Sequence, residues 1–351
     1  MRLCTNNFAS LTGRWPVLFA AALSALVLLG QPASSAEGTP RGLNLTNFKI
    51  YTVRQDTTVK APATGPRCTD VRVWHALPTY KPWCQMQSPN GALDYHSQPR
   101  AIIEAEEDRR STHILFDSKS GQLPNVEMHY ITEFRVISPE RKFDPSFLHI
   151  DWHDILAYNV ENKINFPTPN RDVAELAERL KYNKGPIETI VEFSKWMKEN
   201  ITYDSTCNID GNDFTSILSR RRGHCFHFMS LFRALCGATG MQVRAVEGMN
   251  LFFPNGAGTV DQARVDFTNA HVWPEVYIPT VGWIEVEPNA GDKCFTIPST
   301  YVQNNTKFQN YAVWITEQGR APRIPRWSYV GSKYVNEYGI AHNITFSEIK
   351  M

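Results

Sequence analysis

Apolar positions along the chain follow two periods, and the change from one to the other falls near residue 167. From Leu45 to Phe166 the pattern alternates. Val126, Met128, Tyr130, Thr132, Phe134 and Val136 are interleaved with Glu127, His129, Glu133 and Arg135, and Val71 to Leu77 alternates in part before Pro78. Period-two patterning predicts antiparallel strands with one buried face. Turn-rich stretches, Ala61 to Arg67 and Ser88-Pro89-Asn90-Gly91, separate them. Pro139 to Glu161 fits neither period well and is expected to carry a short helix after Pro145.

Past Phe166-Pro167-Thr168-Pro169-Asn170 the period lengthens. Asn170 is a helix cap, and Val173, Leu176 and Leu180 share one helical face. A second helix follows Gly185-Pro186, where proline suits the first turn, with a stripe of Ile190, Phe193, Trp196 and Met197. A third begins at Cys225, with Met229, Phe232 and Cys236 on one side and Gly237 and Gly240 as its stop. Strand-like runs return at Gln242 to Glu247, His271 to Ile278 and Gly282 to Val286, and Pro298-Ser299-Thr300 closes them with a turn. Helices first and sheet second describe an α+β domain.

The ends of the chain complete the plan. Arg2 and Arg14, an apolar stretch from Val17 to Leu29 and Ala33-Ser34-Ser35-Ala36 together read as a secretory signal cut after Ala36. The expected organisation is a signal peptide over 1–36, a β-rich N-terminal domain over 37–166, an α+β domain over 167–300 and an aromatic-rich extension over 301–351 that packs on the domains. That extension holds Tyr311, Trp314, Trp327, Tyr329, Tyr334 and Tyr338, too aromatic for a disordered tail. Arg320, Arg323 and Arg326 read as a solvated rim.

Charge and cysteines narrow the function. The chain has 36 basic and 35 acidic residues; losing Arg2 and Arg14 leaves 34 basic residues and a net charge of −1. That argues against a nucleic-acid binder. No stable membrane span is expected after signal removal. The protein is expected to be secreted or periplasmic, where disulfides can form. Cys68 and Cys84 are the expected bridge on spacing, Cys207 and Cys294 a further candidate pair, and Cys236 a buried thiol.

Cys225 is different. It follows Gly223 and opens a helix, where the dipole and unpaired N–H groups favour a thiolate. A cysteine nucleophile needs a base nearby in space. His271 begins a strand, the turn Thr280-Val281-Gly282 reverses the chain, and Glu285 and Glu287 end the next strand. An antiparallel hairpin sets either carboxylate beside the imidazole. Both glutamates face the same side of an ideal strand, so spacing alone does not choose between them. His224 and His227 flank the cysteine without the Cys-x-x-Cys steps of a zinc site; no metal and no cofactor are expected. Arg244 is expected to form a structural ion pair.

Gly223-x-Cys225, the helix Leu231-Phe232-Arg233-Ala234-Leu235, Gly240-Met241-Gln242-Val243-Arg244, His271-Val272-Trp273-x-Glu275-Val276-Tyr277 and Gly282-Trp283-Ile284-x-Val286-Glu287-Pro288 resemble the transglutaminase-like core in order and spacing. The resemblance spans roughly Asp172 to Pro298. It implies a papain-like α+β fold and a Cys-His-acid triad of Cys225, His271 and Glu287. The family's usual aspartate is here Glu287, one methylene longer, which requires a shifted backbone or a folded rotamer. Trp273 is expected to line the pocket or lie under the imidazole. Arg222, Asn212 and Asn208 are candidates for a second oxyanion donor. The expected activity is acyl transfer on amide bonds of proteins or peptides, by hydrolysis or transamidation. The alternative is a non-catalytic binding or scaffold protein on a degenerate core.

Overall fold

The computed structural model describes residues 39–60, 70–77, 85–87, 94–95, 101–105, 112–118, 127–251, 257–262, 270–303, 311–316, 330–331 and 339–349. The proposed signal segment, Cys68, Cys84 and the Arg320–Arg326 run lie outside them. Chain order runs β1 (Leu43–Lys60), β2 (Asp70–Leu77) and β3 (Glu127–Phe143). Helices α1 (Trp152–Glu161), α2 (Arg171–Lys181), α3 (Pro186–Asn200), α4 (Phe214–Arg220) and α5 (Cys225–Ala238) follow. Strands β4 (Val243–Asn250), β5 (Ala270–Ile278), β6 (Gly282–Glu285), β7 (Tyr301–Gln303) and β8 (Gly339–Ile349) come last.

The period-two stretch folds as its pattern requires. In β1, Tyr51, Val53, Gln55, Thr57 and Val59 are buried, while the residues between them are half-exposed. β1 lies between β3 and β8, with Val53 opposite both Phe134 and Phe346. The last strand of the chain is thus hydrogen-bonded to the first. Inner side chains of this sheet meet Val71, Val73 and Leu77 of β2, which belongs to a second sheet, in one apolar cluster.

A polar layer crosses that core. Thr57 Oγ1 lies 2.8 Å from His75 Nε2 and 2.7 Å from His342 Nδ1. His75 Nδ1 is 2.8 Å from Thr132 Oγ1, and the Gln55 amide donates to the Ala76 carbonyl at 2.7 Å. Buried polar groups survive only when bonded in this way.

Strand β3 changes face along its length. Tyr130, Thr132, Phe134, Val136 and Ser138 point inward, but after Pro139 the buried set is Arg141 and Phe143. A register shift between Thr46 and Lys49 of β1 accommodates the switch. It turns Arg141, opposite Ile297 of the short strand Thr296–Ile297, into the interior.

The helical stretch also follows its pattern. Asn170 caps α2 by accepting from the Asp172 N–H at 2.9 Å, and Val173, Leu176, Ala177 and Leu180 are buried. Pro186 opens α3, and Ile190, Phe193 and Met197 are buried. Trp196 is half-buried against the same core, with Arg221 over its ring. Helix α5 runs through Gly237 and stops one residue later, and Gly240 takes the positive φ of the turn. α5 packs against β5 and β4, in the sheet ordered β6, β5, β4, β7. The fold is α+β with a β-rich N-terminal region. Among the described residues no helix is long and apolar enough to cross a membrane.

Burial lowers His75 from 6.5 to about 3 and takes His342 well below its ordinary value. Both are neutral in the fold and take up protons on unfolding. Their stabilisation is intact above about pH 6.5 and is lost as pH falls towards about 3. The thermal midpoint, followed by circular dichroism, should drop steadily between about pH 6.5 and about pH 4. His75→Gln should flatten that slope.

Candidate active site

Cys225 is the first residue of α5. Two short segments place it. Thr202–Tyr203 pairs in parallel with Arg222–Gly223, and the Asp204 N–H donates to the Gly223 carbonyl at 2.9 Å. The helix start is then capped by two histidines. His224 Nδ1 accepts from the Phe226 N–H at 3.3 Å, and His227 Nδ1 accepts from the His224 N–H at 3.1 Å. This is a capping box built from imidazoles. His227 Nε2 lies 2.8 Å from the Ile209 carbonyl, so Nε2 carries the proton and Nδ1 is the acceptor. Gly223 is required here, because a Cβ on it would lie 2.6 Å from His227 Cβ.

The thiol faces the side chains of His224 and His271 and the Val272 N–H, which favour its ionised form. Burial pushes the thiol up, yet these groups and the charge of His271 outweigh it and bring it from 9.0 to about 6. His271 is buried on β5, which alone would lower it. Its bonds to Cys225 and Glu287 and their negative charges raise it to about 9 instead. The directions agree: the proton resides on the imidazole and the charge on sulfur at neutral pH.

Glu287 holds the other side of the ring. Its Oε2 is 2.9 Å from His271 Nε2, leaving Nδ1 for the cysteine. Its Oε1 accepts from the Asn289 N–H at 3.1 Å. The extra methylene is absorbed because the side chain folds back onto its own turn, where Glu287 caps the short 3-10 helix Pro288–Lys293. The Tyr301 ring stands edge-on to His271 with ring centroids 4.4 Å apart, and its hydroxyl faces Glu287. Burial, then the Glu287 charge, raises the Tyr301 hydroxyl far above its ordinary value.

Glu285 has a different task. Arg141 grips it with two bonds, Nε at 2.7 Å and an Nη at 3.2 Å, and Trp273 Nε1 donates to it at 2.9 Å. Trp273 is fully buried and stacks against His271 with centroids 5.6 Å apart. Arg141 also donates to the Tyr301 carbonyl at 3.2 Å. A chain of contacts therefore runs from the N-terminal β-rich region to the imidazole.

Other sequence candidates sit around this centre. Arg222 is exposed and paired with Asp204. Asn212 is exposed in a turn where its N–H donates to Asp210 at 2.9 Å, and Asn208 is exposed as well. The sequence reading passed over Tyr203, which is 47% exposed and whose hydroxyl lies near Cys225. Burial and then the Cys225 charge raise that hydroxyl to about 12. Arg244 forms its expected ion pair, with Glu275, and lies over Trp283. Cys207, Cys225, Cys236 and Cys294 are all free, so the Cys207–Cys294 pairing does not occur. The reason is position: Cys207 is in the loop beside Arg222, and Cys294 is buried in the helical core.

The profile of the transglutaminase-like superfamily matches residues 174–288. This stretch is a transglutaminase-like domain. YebA of Bacillus subtilis strain 168, an uncharacterised protein, is 32% identical over 93 residues, which is 26% of this chain. The match spans only 12% of YebA's own length. Among solved structures, a candidate cysteine protease from Cytophaga hutchinsonii is covered along 100% of its chain by 88% of this one, at a TM-score of 0.46 and 12% identity. The periplasmic domain of TgpA from Pseudomonas aeruginosa aligns over 66% of this chain and 93% of its own, at a TM-score of 0.34 and 19% identity. Arg141 and Tyr301 lie outside the matched transglutaminase-like stretch, although both buttress its histidine.

Two outcomes follow from this geometry. Iodoacetamide labelling of Cys225 should switch on near pH 6, and the imidazole should lose its proton only near pH 9. Glu287→Gln should move the lower edge upward by at least about one pH unit. An ordinary thiol profile in the unmodified protein would contradict the ion pair. Separately, Arg141→Met should cost about 3–5 kcal/mol in urea denaturation by leaving Glu285 charged, buried and unpaired. Arg141→Met with Glu285→Met should recover most of that loss.

Proposed function

We propose that this chain is an exported thiol-dependent enzyme that transfers acyl groups from amide bonds of proteins or peptides. Cys225 is its nucleophile, His271 its acid and base, and Glu287 its orienting carboxylate. The observation that carries this reading is His271, held between Glu287 and a cysteine whose thiol is brought down to about 6. The segment over 1–36 supports export.

The reaction begins when Cys225 Sγ attacks the amide carbonyl. A C–S bond forms and the carbonyl electron pair moves to oxygen. The Cys225 N–H at the helix start serves as a donor to that oxyanion, and the nearby Tyr203 hydroxyl is the second. His271 gives its proton to the amide nitrogen, the C–N bond breaks, and an amine or ammonia leaves. His271, now neutral, takes a proton from water or an incoming amine. The acceptor attacks the thioester, and the C–S bond breaks to return the thiolate. Glu287 holds the ring in orientation throughout. Arg222 and Asn212 have no step here, since Arg222 is engaged by Asp204 and Asn212 lies in an exposed turn.

Incubation with a glutamine-bearing peptide library and a labelled amine tests the reading. Mass spectrometry distinguishes free acid, amine adduct and unchanged peptide. Cys225→Ala and His271→Ala should each lower turnover by on the order of a thousandfold or more. No product from the unmodified enzyme, with slow Cys225 labelling, would favour the scaffold alternative.

A further inference from the structure

A recess between α2, α3 and the end of α4 shares no residue with the Cys225 centre. Its volume is about 330 Å³, within the roughly 300–1,000 Å³ of small-molecule sites. The apolar part is made by Leu176 of α2, Trp196 of α3 and Leu218 of α4. Leu176 is buried in the helical core, and the other two are half-buried against it. The polar part is charged. Asp172, Glu175 and Arg179 recur at helical spacing along one side of α2, and Arg221 follows the last turn of α4.

Arg221 is fixed there by its backbone. It takes the left-handed conformation, φ 54°, that ends α4, at a place glycine or asparagine usually fills. Its carbonyl accepts from the Thr202 N–H at 2.8 Å, and its guanidinium lies 4.9 Å from the centre of the Trp196 ring. A guanidinium stacked on an indole keeps its N–H edge for another partner. Among the described residues, Arg179, Arg221 and Asp172 form no ion pair. Glu175 is paired with Arg171, outside the recess, and its side chain stays 64% exposed. Charges of both signs therefore line one recess without pairing across it. A ligand that carries an anion and a cation on an apolar body completes such a site. Its carboxylate meets the two guanidinium groups, its ammonium meets Asp172 and Glu175, and its body covers the indole and the leucines.

We propose that this recess binds a zwitterionic amino acid or short peptide with an apolar side chain, held by Arg179 and Arg221 at one end and by Asp172 and Glu175 at the other. The site goes beyond the acyl-transfer reading and does not rest on it. It adjoins the segment that leads to Cys225, since Arg221 directly precedes the paired residues Arg222–Gly223.

Titration calorimetry on the full chain tests the site, with Cys225→Ala as background so that no probe is consumed. Leucyl-phenylalanine is compared with its N-acetyl form, its C-terminal amide and the peptide blocked at both ends. The zwitterion should bind saturably, and blocking either end should weaken binding at least about tenfold. Binding by free leucine assigns an amino-acid site, and binding by the dipeptide alone assigns a peptide site. Arg179→Gln with Arg221→Gln should weaken the zwitterion roughly 10- to 100-fold and remove its advantage over the C-terminal amide. Asp172→Asn should instead narrow the gap between the free and the acetylated amine. All three side chains are exposed, so these variants should keep the thermal midpoint of the parent. A variant that merely lost its fold would lose discrimination at both ends at once. Equal heats from the four peptides, no saturable binding in the millimolar range, or an unchanged affinity in the arginine variant would overturn the proposal.

Discussion

The buried pair of Arg141 and Glu285 is the constraint on which the rest of the site depends. Arg141 is 2% exposed and Glu285 7%, so both charges have lost their water. Such a pair is tolerated only when its geometry is good and its remaining bonding capacity is used. Both conditions hold. Glu285 takes two bonds from the guanidinium and one from Trp273, while Arg141 spends its other donors on the Pro139 and Tyr301 carbonyls. The pair stabilises one arrangement of the β5–β6 hairpin against β3 and penalises alternatives that would leave a charge exposed to apolar surroundings.

That arrangement divides labour between two glutamates only two residues apart. Glu285 ends its strand and faces Arg141 and Trp273. Past it the backbone leaves the sheet, with the Glu287 N–H bonded to the Cys294 carbonyl at 2.8 Å and the side chain folded onto the next turn. This frees Glu287 for His271. The imidazole is then held by Glu287 at one nitrogen, stacked on Trp273 and edged by Tyr301. A ring confined this way can exchange a proton with Cys225 without reorienting, which is how preorganisation lowers a barrier.

The proposed nucleophile is fixed by local contacts as well. Gly223 lets the chain pass close to His227, His227 caps the helix start with its unprotonated nitrogen, and Cys225 stands at the N-terminal end of α5. The dipole of α5 and the imidazolium of His271 then act in the same direction on the thiol.

Much of this was legible in the residues. Periods of two and 3.6 located β3, α2, α3 and α5, because burial of one face imposes them locally. Asn170, Pro186 and Gly240 marked turns and helix ends for equally local reasons. The order of the Cys225, His271 and Glu287 blocks pointed to acyl-transfer chemistry. Tertiary structure decided the rest. Spacing could not separate Glu285 from Glu287, since the choice depends on Arg141, 144 residues away in sequence from Glu285. Pro139 obscured the end of β3, and only the register shift against β1 turns Arg141 inward. Tyr203 and Tyr301 carry no motif; each reaches the site through strand pairing. Periodicity and capping act over a few residues and are written along the chain, whereas a buried charge finds its partner only when the sheets have closed around it.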